Sequence, residues 1–240
     1  MNIALILSGG TGTRLGAEIP KQYIKVKERT ILSFCLETLL CHKQVDMVQI
    51  VADSSWQKEI LEEIKQLQQQ NILSDNVVKK FRGFSNPGEN RQLSIFQGLT
   101  DILSYASAED KVLIHDAARP CLSEKMILEC FTAMEGHDGV LPVLPMKDTV
   151  YFSEEGKKID SLLNRNQIFA GQAPEVFRLG RYYKANEALL PEKILSINGS
   201  TEPAILAGMD VIMIPGDEGN FKITTKADLE RFQTILGNLS

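Results

Sequence analysis

The sequence predicts an α/β protein built on a mainly parallel, Rossmann-like sheet. Short and nearly continuous apolar runs alternate with amphipathic stretches of helical period, as in successive βαβ units. A glycine-rich turn follows the first apolar run directly, where such a sheet presents its ligand crevice. Apolar residues make up 43% and charged residues 24% of the 240-residue chain, which is typical of a globular protein. We therefore expect a single domain spanning residues 1–240.

The elements follow from the pattern in chain order. Apolar runs predict strands at residues 2–7, 46–52, 77–81, 111–114, 139–144 and 210–214. Helical periodicity predicts helices at residues 30–42, 55–69, 90–105, 124–135, 179–190 and 226–235. Thr225 and Asp228 resemble a capped start for the last of these helices.

Two short extended segments, 148–152 and 158–162, flank a turn at 153–156 and predict a hairpin arm. So small a hairpin cannot hold a core of its own. We therefore expect an arm at about 146–176 that packs on a second subunit to form a homodimer.

The bulk charge and hydropathy exclude several classes of protein. A formal net charge of -5 argues against sequence-independent binding to nucleic acid. No run approaches the roughly 20 apolar residues that span a membrane. The apolar start of the chain lacks the charged region of a signal peptide, and the cysteines form no metal-binding pattern, so we expect a cytoplasmic protein with reduced cysteines.

The glycine-rich turn is the first candidate site. Its glycines let backbone N–H groups come close to an anion. Leu15 stands where a dinucleotide fingerprint needs glycine, and the Gly-Lys-Ser/Thr end of a Walker loop is missing, so neither motif is present. Arg14 and Lys21 would offer a polyphosphate two fixed cations. The alternative is a flexible turn with solvated charges. The turn contains Ser8, Gly9, Gly10, Thr11 and Gly12.

A second polar cluster ends the strand predicted at 111–114. Asp116 there is a carboxylate at the carboxyl edge of the sheet, where it can hold Mg²⁺ against triphosphate oxygens. The alternative is an ion pair between Asp116 and Arg119 that only ties a loop. We interpret His115 as a satisfied core residue and not as a proton carrier.

In order along the chain, these blocks resemble those of the polyol-phosphate cytidylyltransferase family. That family has the glycosyltransferase-A-like sheet of nucleotide-diphospho-sugar transferases and makes 4-diphosphocytidyl-2-C-methylerythritol or CDP-ribitol. The resemblance covers nearly the whole chain, at residues 8–14, 20–23, 88–94, 115–120, 147–149, 164–166, 201–204 and 219–225. It implies an enzyme that joins the cytidylyl group of CTP to a polyol phosphate and releases pyrophosphate.

The resemblance also implies residue roles. It assigns catalysis to three cations, Arg14, Lys21 and Lys222. Besides the glycine-rich turn, it assigns nucleotide binding to Gly88, Glu89, Arg91 and Ser94. Mg²⁺ would be the cofactor, with Asp116 beside both metal and substrate. The other implied substrate-binding residues are Arg119, Thr149, Thr201 and Arg165, which stands where the family places an arginine that reaches the neighbouring subunit's substrate.

The acceptor side departs from the family pattern. Family members generally read Gln-Thr-Pro-Gln or Leu-Thr-Pro-Gln at residues 172–175, where this chain has Ala173 and Glu175, and Thr-Asp where it has Thr201 and Glu202. We expect these changes to lie near the phosphate-binding arm, away from CTP.

Different segments of the sequence resemble enzymes that act on two different acceptors. Residues 21–40 and 115–121 look closer to enzymes acting on 2-C-methyl-D-erythritol 4-phosphate, which we place first. Residues 169–172 look closer to enzymes acting on ribitol 5-phosphate, which is the alternative. A non-catalytic CTP-binding protein and a dinucleotide-dependent oxidoreductase are the competing functions, the second disfavoured by the glycine spacing.

Overall fold

The structure, a computed structural model, describes residues 1–10 and 19–238. Thr11, Gly12 and Arg14, which the sequence analysis places in the site, lie outside the described residues.

The described chain alternates strands and helices over most of its length. The strands are β1 Asn2–Leu7, β2 Lys25–Val26, β3 Arg29–Thr30, β4 Met47–Val51, β5 Phe81–Ser85, β6 Lys111–Asp116, β7 Gly139–Pro145, β8 Val150–Phe152, β9 Ser161–Leu163, β10 Phe169–Gly171, β11 Glu175–Arg178 and β12 Val211–Pro215. The α-helices are α1 Ile31–Cys41, α2 Ser54–Gln69, α3 Asp75–Val78, α4 Arg91–Leu103, α5 Glu124–Ala133, α6 Leu179–Glu187, α7 Glu202–Leu206 and α8 Lys226–Asn238.

An eight-stranded sheet forms the centre of the fold. Its order is β10-β7-β11-β6-β1-β4-β5, and β12 pairs with β7. Strands β5, β4, β1 and β6 are parallel, as are β12 and β7, whereas β10 and β11 run antiparallel to β7. The predicted mainly parallel α/β sheet is therefore confirmed.

The register of the parallel strands brings their carboxyl ends together. Leu7 at the end of β1 pairs with Val51 on one side and with Asp116 on the other. Val51 pairs in turn with Ser85 at the end of β5. The loops that follow β1, β5 and β6 therefore leave the same edge of the sheet, where open α/β sheets bind their ligands.

Helices cover both faces of the sheet, which explains why its strands read as continuous apolar runs. Ala4 and Ile6 of β1 pack in the cluster that includes helices α1, α2 and α5. Ile3 and Leu5 pack in a second cluster with α4 and α6. All four side chains are fully buried, as expected for a strand covered on both sides.

One predicted strand is wrong, and four short strands, β2, β3, β10 and β11, were not predicted. Val77 and Val78 lie in the short helix α3, and the strand begins only at Phe81. A short apolar run does not distinguish a helical turn from a strand, because both can pack on the core. The unpredicted strands β10 and β11 are three and four residues long and are separated by a segment containing Pro174, so neither shows a sustained period.

The predicted hairpin is present as a separate two-stranded sheet. Its strands β8 and β9 pair antiparallel from Val150 with Leu163 to Phe152 with Ser161. Phe169–Gly171, within the range expected for the arm, pairs with β7 of the main sheet. Within the described residues, no helix has both the length and the apolar character needed to cross a membrane.

Candidate active site

The loops at the carboxyl edge of the sheet enclose a cavity of about 440 Å³. This volume is within the usual range for small-molecule sites. The cavity brings together the described part of the glycine-rich turn, the block that follows β5, the end of β6 and the segment before α8. Nine of the predicted site residues line it: Gly9, Gly10, Lys21, Gly88, Glu89, Arg91, Ser94, Asp116 and Lys222.

The described part of the turn after β1, Ser8–Gly10, is held in place by its neighbours. A Cβ on Gly9 would lie 2.5 Å from Cβ of Pro87, so only glycine fits there. Ser8, a predicted nucleotide-binding residue, is 1% exposed, and its hydroxyl donates to the Tyr23 oxygen at 2.9 Å. Ser8 therefore shapes the turn from beneath and is not among the residues that line the cavity.

Gln22 has no predicted role, although it lies in one of the blocks that resemble the family. Its Nε2 donates to the carbonyl oxygens of Ser8, at 2.7 Å, and Gly10, at 2.8 Å. The adjacent Tyr23 donates from its hydroxyl to the Ser8 carbonyl at 3.0 Å. The position of Gln22 directly after Lys21 was the only sequence signal for this contact.

The second wall is the start of helix α4. Asn90 caps the helix by accepting from the backbone N–H of Leu93 at 2.8 Å. The hydroxyl of Ser94 accepts from the backbone N–H of Gly88 at 3.0 Å. A Cβ on Gly88 would lie 2.9 Å or less from three atoms of Leu93, including a backbone carbon, so this loop also requires glycine.

Three cations converge on Asp116, which is 8% exposed. Its Oδ1 accepts from Nη2 of Arg91 at 3.0 Å, and its Oδ2 lies 2.9 Å from Nζ of Lys222. Nε of Arg119 is 3.7 Å from Oδ2. Burial opposes the charge, but Arg91, Lys222 and Arg119 outweigh it and hold the pKa of Asp116 well below its ordinary value. Asp116 is therefore ionised and fixes two cavity-lining cations in place.

Arg119 contacts Asp116, and His115 contacts Arg119. Neither is among the residues that line the cavity. Arg119 donates from Nη1 to the carbonyl of Asn220 at 2.7 Å, which ties the loop after β6 to the segment that carries Lys222. His115 is fully buried and donates from Nε2 to the Arg119 carbonyl at 3.1 Å. Burial lowers the pKa of His115 to about 4, so it is neutral at physiological pH. It is a core residue, as interpreted, but it is only partly satisfied, because its Nδ1 has no hydrogen-bond partner within the described residues.

The segment that carries Lys222 is anchored by the start of α8. The carboxylate of Asp228 accepts from the backbone N–H groups of Thr224 and Thr225 at 2.9 and 2.8 Å. The backbone N–H of Asp228 in turn donates to the Thr225 hydroxyl at 3.2 Å. This reciprocal cap confirms the helix start that the sequence predicts.

The expected location of Glu175 is wrong. Glu175 lies in β11, inside the main sheet, and pairs with Ile114 of β6 two residues before Asp116. It is 8% exposed and accepts a hydrogen bond from the Ser200 hydroxyl. Burial raises the pKa of this carboxyl, although the charges of Arg91 and Arg119 act to lower it. The antiparallel strand, which the sequence pattern does not reveal, turns Glu175 away from the arm and towards the Asp116 cluster.

The remaining residues predicted for the acceptor do not line the cavity of this single chain. Thr149 and Arg165 are exposed on the arm, where Nη1 of Arg165 donates to the Lys147 carbonyl at 2.8 Å. Thr201 is buried, and its hydroxyl has no hydrogen-bond partner within the described part of the chain. The structure therefore assembles the nucleotide half of the predicted site more completely than the acceptor half.

Mg²⁺ binds oxygen ligands, which carboxylate side chains of this cavity could supply. Over residues 1–10 and 19–238, no group of three or more Asp, Glu, His or Cys side chains could hold a metal alone. Mg²⁺ in nucleotide sites commonly uses one or two carboxylates together with substrate phosphates. Asp116 lines the cavity and is ionised, and although Oδ1 is paired with Arg91 and Oδ2 with Lys222, its charge fits a cation that would share these oxygens and bind the triphosphate as well.

Comparison with known proteins places this chain among curated relatives. The family model described as IspD, 2-C-methyl-D-erythritol 4-phosphate cytidylyltransferase, matches residues 2–238. A 2-C-methyl-D-erythritol 4-phosphate cytidylyltransferase of Rubrobacter xylanophilus is 33% identical over 98% of this chain and 94% of its own.

Two further relatives extend the comparison. The crystal structure of Francisella tularensis 2-C-methyl-D-erythritol 4-phosphate cytidylyltransferase is 25% identical, with a TM-score of 0.76 over 97% of this chain and 99% of that one. A bifunctional ribulose 5-phosphate reductase/CDP-ribitol pyrophosphorylase of Haemophilus influenzae is 29% identical over 95% of this chain and 46% of that protein. Because the family model spans almost the whole sequence and the first relative is 33% identical along it, this chain belongs to the 2-C-methyl-D-erythritol 4-phosphate cytidylyltransferase family.

Proposed function

We propose that this chain transfers the cytidylyl group of CTP to 2-C-methyl-D-erythritol 4-phosphate and releases pyrophosphate. The observation that carries this proposal is the single cavity in which Lys21, Arg91 and Lys222 meet the glycine-rich turn. Reactions of polyphosphates need such a combination, because negative charge develops on the phosphate. Backbone N–H groups and fixed cations stabilise this charge, and no proton has to be transferred. The cytoplasm is the proposed place of action.

The reaction is an in-line attack by a phosphate oxygen of the acceptor on the α-phosphorus of CTP. The bond from this phosphorus to the bridging oxygen breaks, and pyrophosphate leaves with the electron pair. Because the attacking oxygen is already anionic, no general base is required, and catalysis depends on positioning and charge stabilisation.

Asp116 organises the cations for this step. It holds Lys222 at 2.9 Å and Arg91 at 3.0 Å, so their positions are set before the substrate binds. Cations fixed in advance need little reorganisation as charge develops, which is the usual basis of electrostatic catalysis. Lys21 and Lys222 would stabilise the charge at the α-phosphate, together with Arg14, which lies outside the described residues.

The block from Gly88 to Ser94 supports the choice of nucleotide. Its backbone is fixed by the Asn90 cap and by the bond between Ser94 and Gly88. A rigid pocket of backbone groups can admit a pyrimidine and reject the larger purine. We propose that this block binds the cytosine base.

We propose Mg²⁺ as the cofactor, held by Asp116 together with the triphosphate. When bound, it would neutralise charge on the triphosphate and favour departure of pyrophosphate.

We propose that the arm completes the acceptor site of a second copy in a homodimer. Large apolar side chains are exposed on it, with Phe152 50% and Leu162 65% accessible. Arg165, exposed on the same arm, is a suitable bidentate clamp for the acceptor phosphate.

A pyrophosphate-release assay tests this function and separates it from the alternatives. The purified chain would be offered each nucleoside triphosphate with 2-C-methyl-D-erythritol 4-phosphate, ribitol 5-phosphate and other tetritol, pentitol and sugar phosphates. The proposal predicts release only with CTP and fastest release with 2-C-methyl-D-erythritol 4-phosphate. Faster release with ribitol 5-phosphate would move the chain to the alternative acceptor. CTP binding without release from any acceptor would make it a non-catalytic binding protein.

A further inference from the structure

We propose that Gln22 is a positioning residue that orients the backbone of Ser8–Gly10, in the turn after β1, to receive an anion. This inference rests on the proposed function, because the anion in question is the triphosphate of CTP. Gln22 is 4% exposed at the floor of the cavity, and both of its hydrogen bonds from Nε2 end on the turn.

The two hydrogen bonds fix the direction of backbone carbonyls. Nε2 of Gln22 donates to the Ser8 oxygen at 2.7 Å and to the Gly10 oxygen at 2.8 Å. In a planar trans peptide the N–H group points opposite to the carbonyl. The Ser8 carbonyl therefore faces Gln22, and the N–H of Gly9 in the same peptide faces away from it. Because Gly9 and Gly10 line the cavity, Gln22 keeps repulsive carbonyl oxygens from turning towards a bound phosphate.

A second contact makes this arrangement rigid. The Tyr23 hydroxyl donates to the same Ser8 oxygen at 3.0 Å and accepts from the Ser8 hydroxyl at 2.9 Å. The Tyr23 ring stacks on Trp56, with ring centroids 4.2 Å apart and planes inclined by 10°. Lys21, a cavity-lining cation, lies on the same short helical turn as Gln22 and Tyr23. The backbone of Ser8–Gly10 and the backbone at Lys21 are consequently fixed relative to each other.

Gln22 acts here as a hydrogen-bond donor, and one isosteric substitution replaces this donor with an acceptor. Gln22→Glu replaces the amide donor with a carboxylate that faces two carbonyl oxygens. Gln22→Met keeps the length but removes the donor without adding charge. The matched control is Gln49→Glu, since Gln49 is also 4% exposed and donates to a side chain, Ser85, that does not line the cavity.

The experiment measures CTP binding by calorimetry and steady-state kinetics with 2-C-methyl-D-erythritol 4-phosphate, with thermal unfolding to monitor the fold. We expect Gln22→Glu to raise both the Kd and the KM for CTP on the order of tenfold or more, since two hydrogen bonds are lost and two repulsions replace them. Gln22→Met should lie between this variant and the wild type. The KM for the acceptor should change little, and Gln49→Glu should bind CTP as the wild type does.

The result that overturns the inference is CTP affinity within about twofold of wild type in folded Gln22→Glu. If that variant does not fold, Gln22→Met decides, and unchanged CTP affinity there overturns it equally. Failure of the wild type to bind CTP would remove the proposed function and this inference with it. Binding of CTP by the wild type and both variants alike would remove this inference alone.

Discussion

At the scale of single residues, the site depends on Asp116 as an organiser of cations. Its two oxygens hold Arg91 and Lys222, which both line the cavity. The same carboxylate attracts Arg119, which bonds the Asn220 carbonyl two residues before Lys222. One buried charge therefore sets the positions of groups from three separate segments of the chain.

We expect Asp116→Asn to lower kcat/KM for CTP on the order of 10²-fold, because the cations lose their common partner. The measurement is steady-state pyrophosphate release, with circular dichroism to verify the fold. Asp138→Asn is the matched control, since Asp138 is also 8% exposed and pairs with an arginine, Arg181. Equal losses of kcat/KM in the two variants would show that Asp116 acts only through stability.

Gly9 tests the packing of the glycine-rich turn. Gly9→Ala would bring a methyl group to 2.5 Å from Cβ of Pro87, so the turn must shift. Overpacking of this kind costs about 1–3 kcal/mol of stability, and we expect at least a tenfold rise in the KM for CTP. Gly199→Ala, where no non-adjacent residue that the structure describes has an atom within 4 Å of the added methyl, should leave KM unchanged. A wild-type KM in Gly9→Ala would contradict the assigned geometry.

At the scale of elements, helix α8 fixes the loop that carries Lys222. Asp228 caps the helix by accepting from the backbone of Thr224 and Thr225, and Phe232 of the same helix is buried against Ile31 and Ile223. The cap therefore links the stability of a peripheral helix to the position of a cation in the cavity.

The cap of α8 should be visible as a dependence of stability on pH. Burial opposes the charge on Asp228, but hydrogen bonds from Thr224 and Thr225 outweigh it and lower its pKa from 3.8 to about 2. A lowered pKa stabilises the fold above the unfolded value of 3.8, and this contribution is lost as pH falls towards 2. Asp228→Ala should thus lower the free energy of unfolding by about 1 kcal/mol at pH 7.

Urea denaturation of the wild type and Asp228→Ala at several pH values measures this contribution. The difference between the two proteins should shrink between pH 4 and pH 2, within the interval set by the two pKa values. A difference that stays constant over this interval would exclude the carboxylate as its cause.

The sequence predicts these elements unevenly, for physical reasons. Strand β1 and helices α1, α2 and α4 were predicted within two residues, because a continuous apolar run or a sustained helical period marks each of them. Strand β11 was not predicted, since its four residues are too few for a period and its buried Glu175 reads as a surface residue. The convergence on Asp116 depends on strand register, which no local pattern specifies.

At the scale of the whole molecule, the distribution of site residues points beyond one chain. Six of the residues predicted to bind the nucleotide line one cavity, whereas Thr149 and Arg165 are exposed on the arm. The six are Gly9, Gly10, Gly88, Glu89, Arg91 and Ser94. Three apolar side chains of the arm, Tyr151, Phe152 and Leu162, are half exposed or more. An apolar surface of this kind is typical of an interface between protein copies.

The proposed homodimer predicts complementation between two inactive variants. Arg165→Ala should lack the acceptor clamp and Lys222→Met the catalytic cation, so each homodimer should be inactive. If Arg165 acts on the second copy, refolding an equal mixture should restore about one quarter of wild-type activity, because half of the dimers then contain one intact site.

Sedimentation velocity would accompany this assay. The wild type should sediment as a species with twice the 26.7-kDa chain mass. The double variant Phe152→Ser, Leu162→Ser should contain a larger fraction of monomer. A monomeric wild type, or no recovery of activity in a mixture shown to contain heterodimers, would contradict the shared site.

We propose above all that Lys222, a cation held by Asp116, stabilises the reacting phosphate of CTP. The most direct measurement is kcat for pyrophosphate release by Lys222→Met at saturating CTP and 2-C-methyl-D-erythritol 4-phosphate, with Lys226→Met, exposed at the start of α8, as control. We predict that kcat falls on the order of 10²-fold or more in Lys222→Met and is unchanged in the control. A kcat within about twofold of wild type in folded Lys222→Met would contradict the claim.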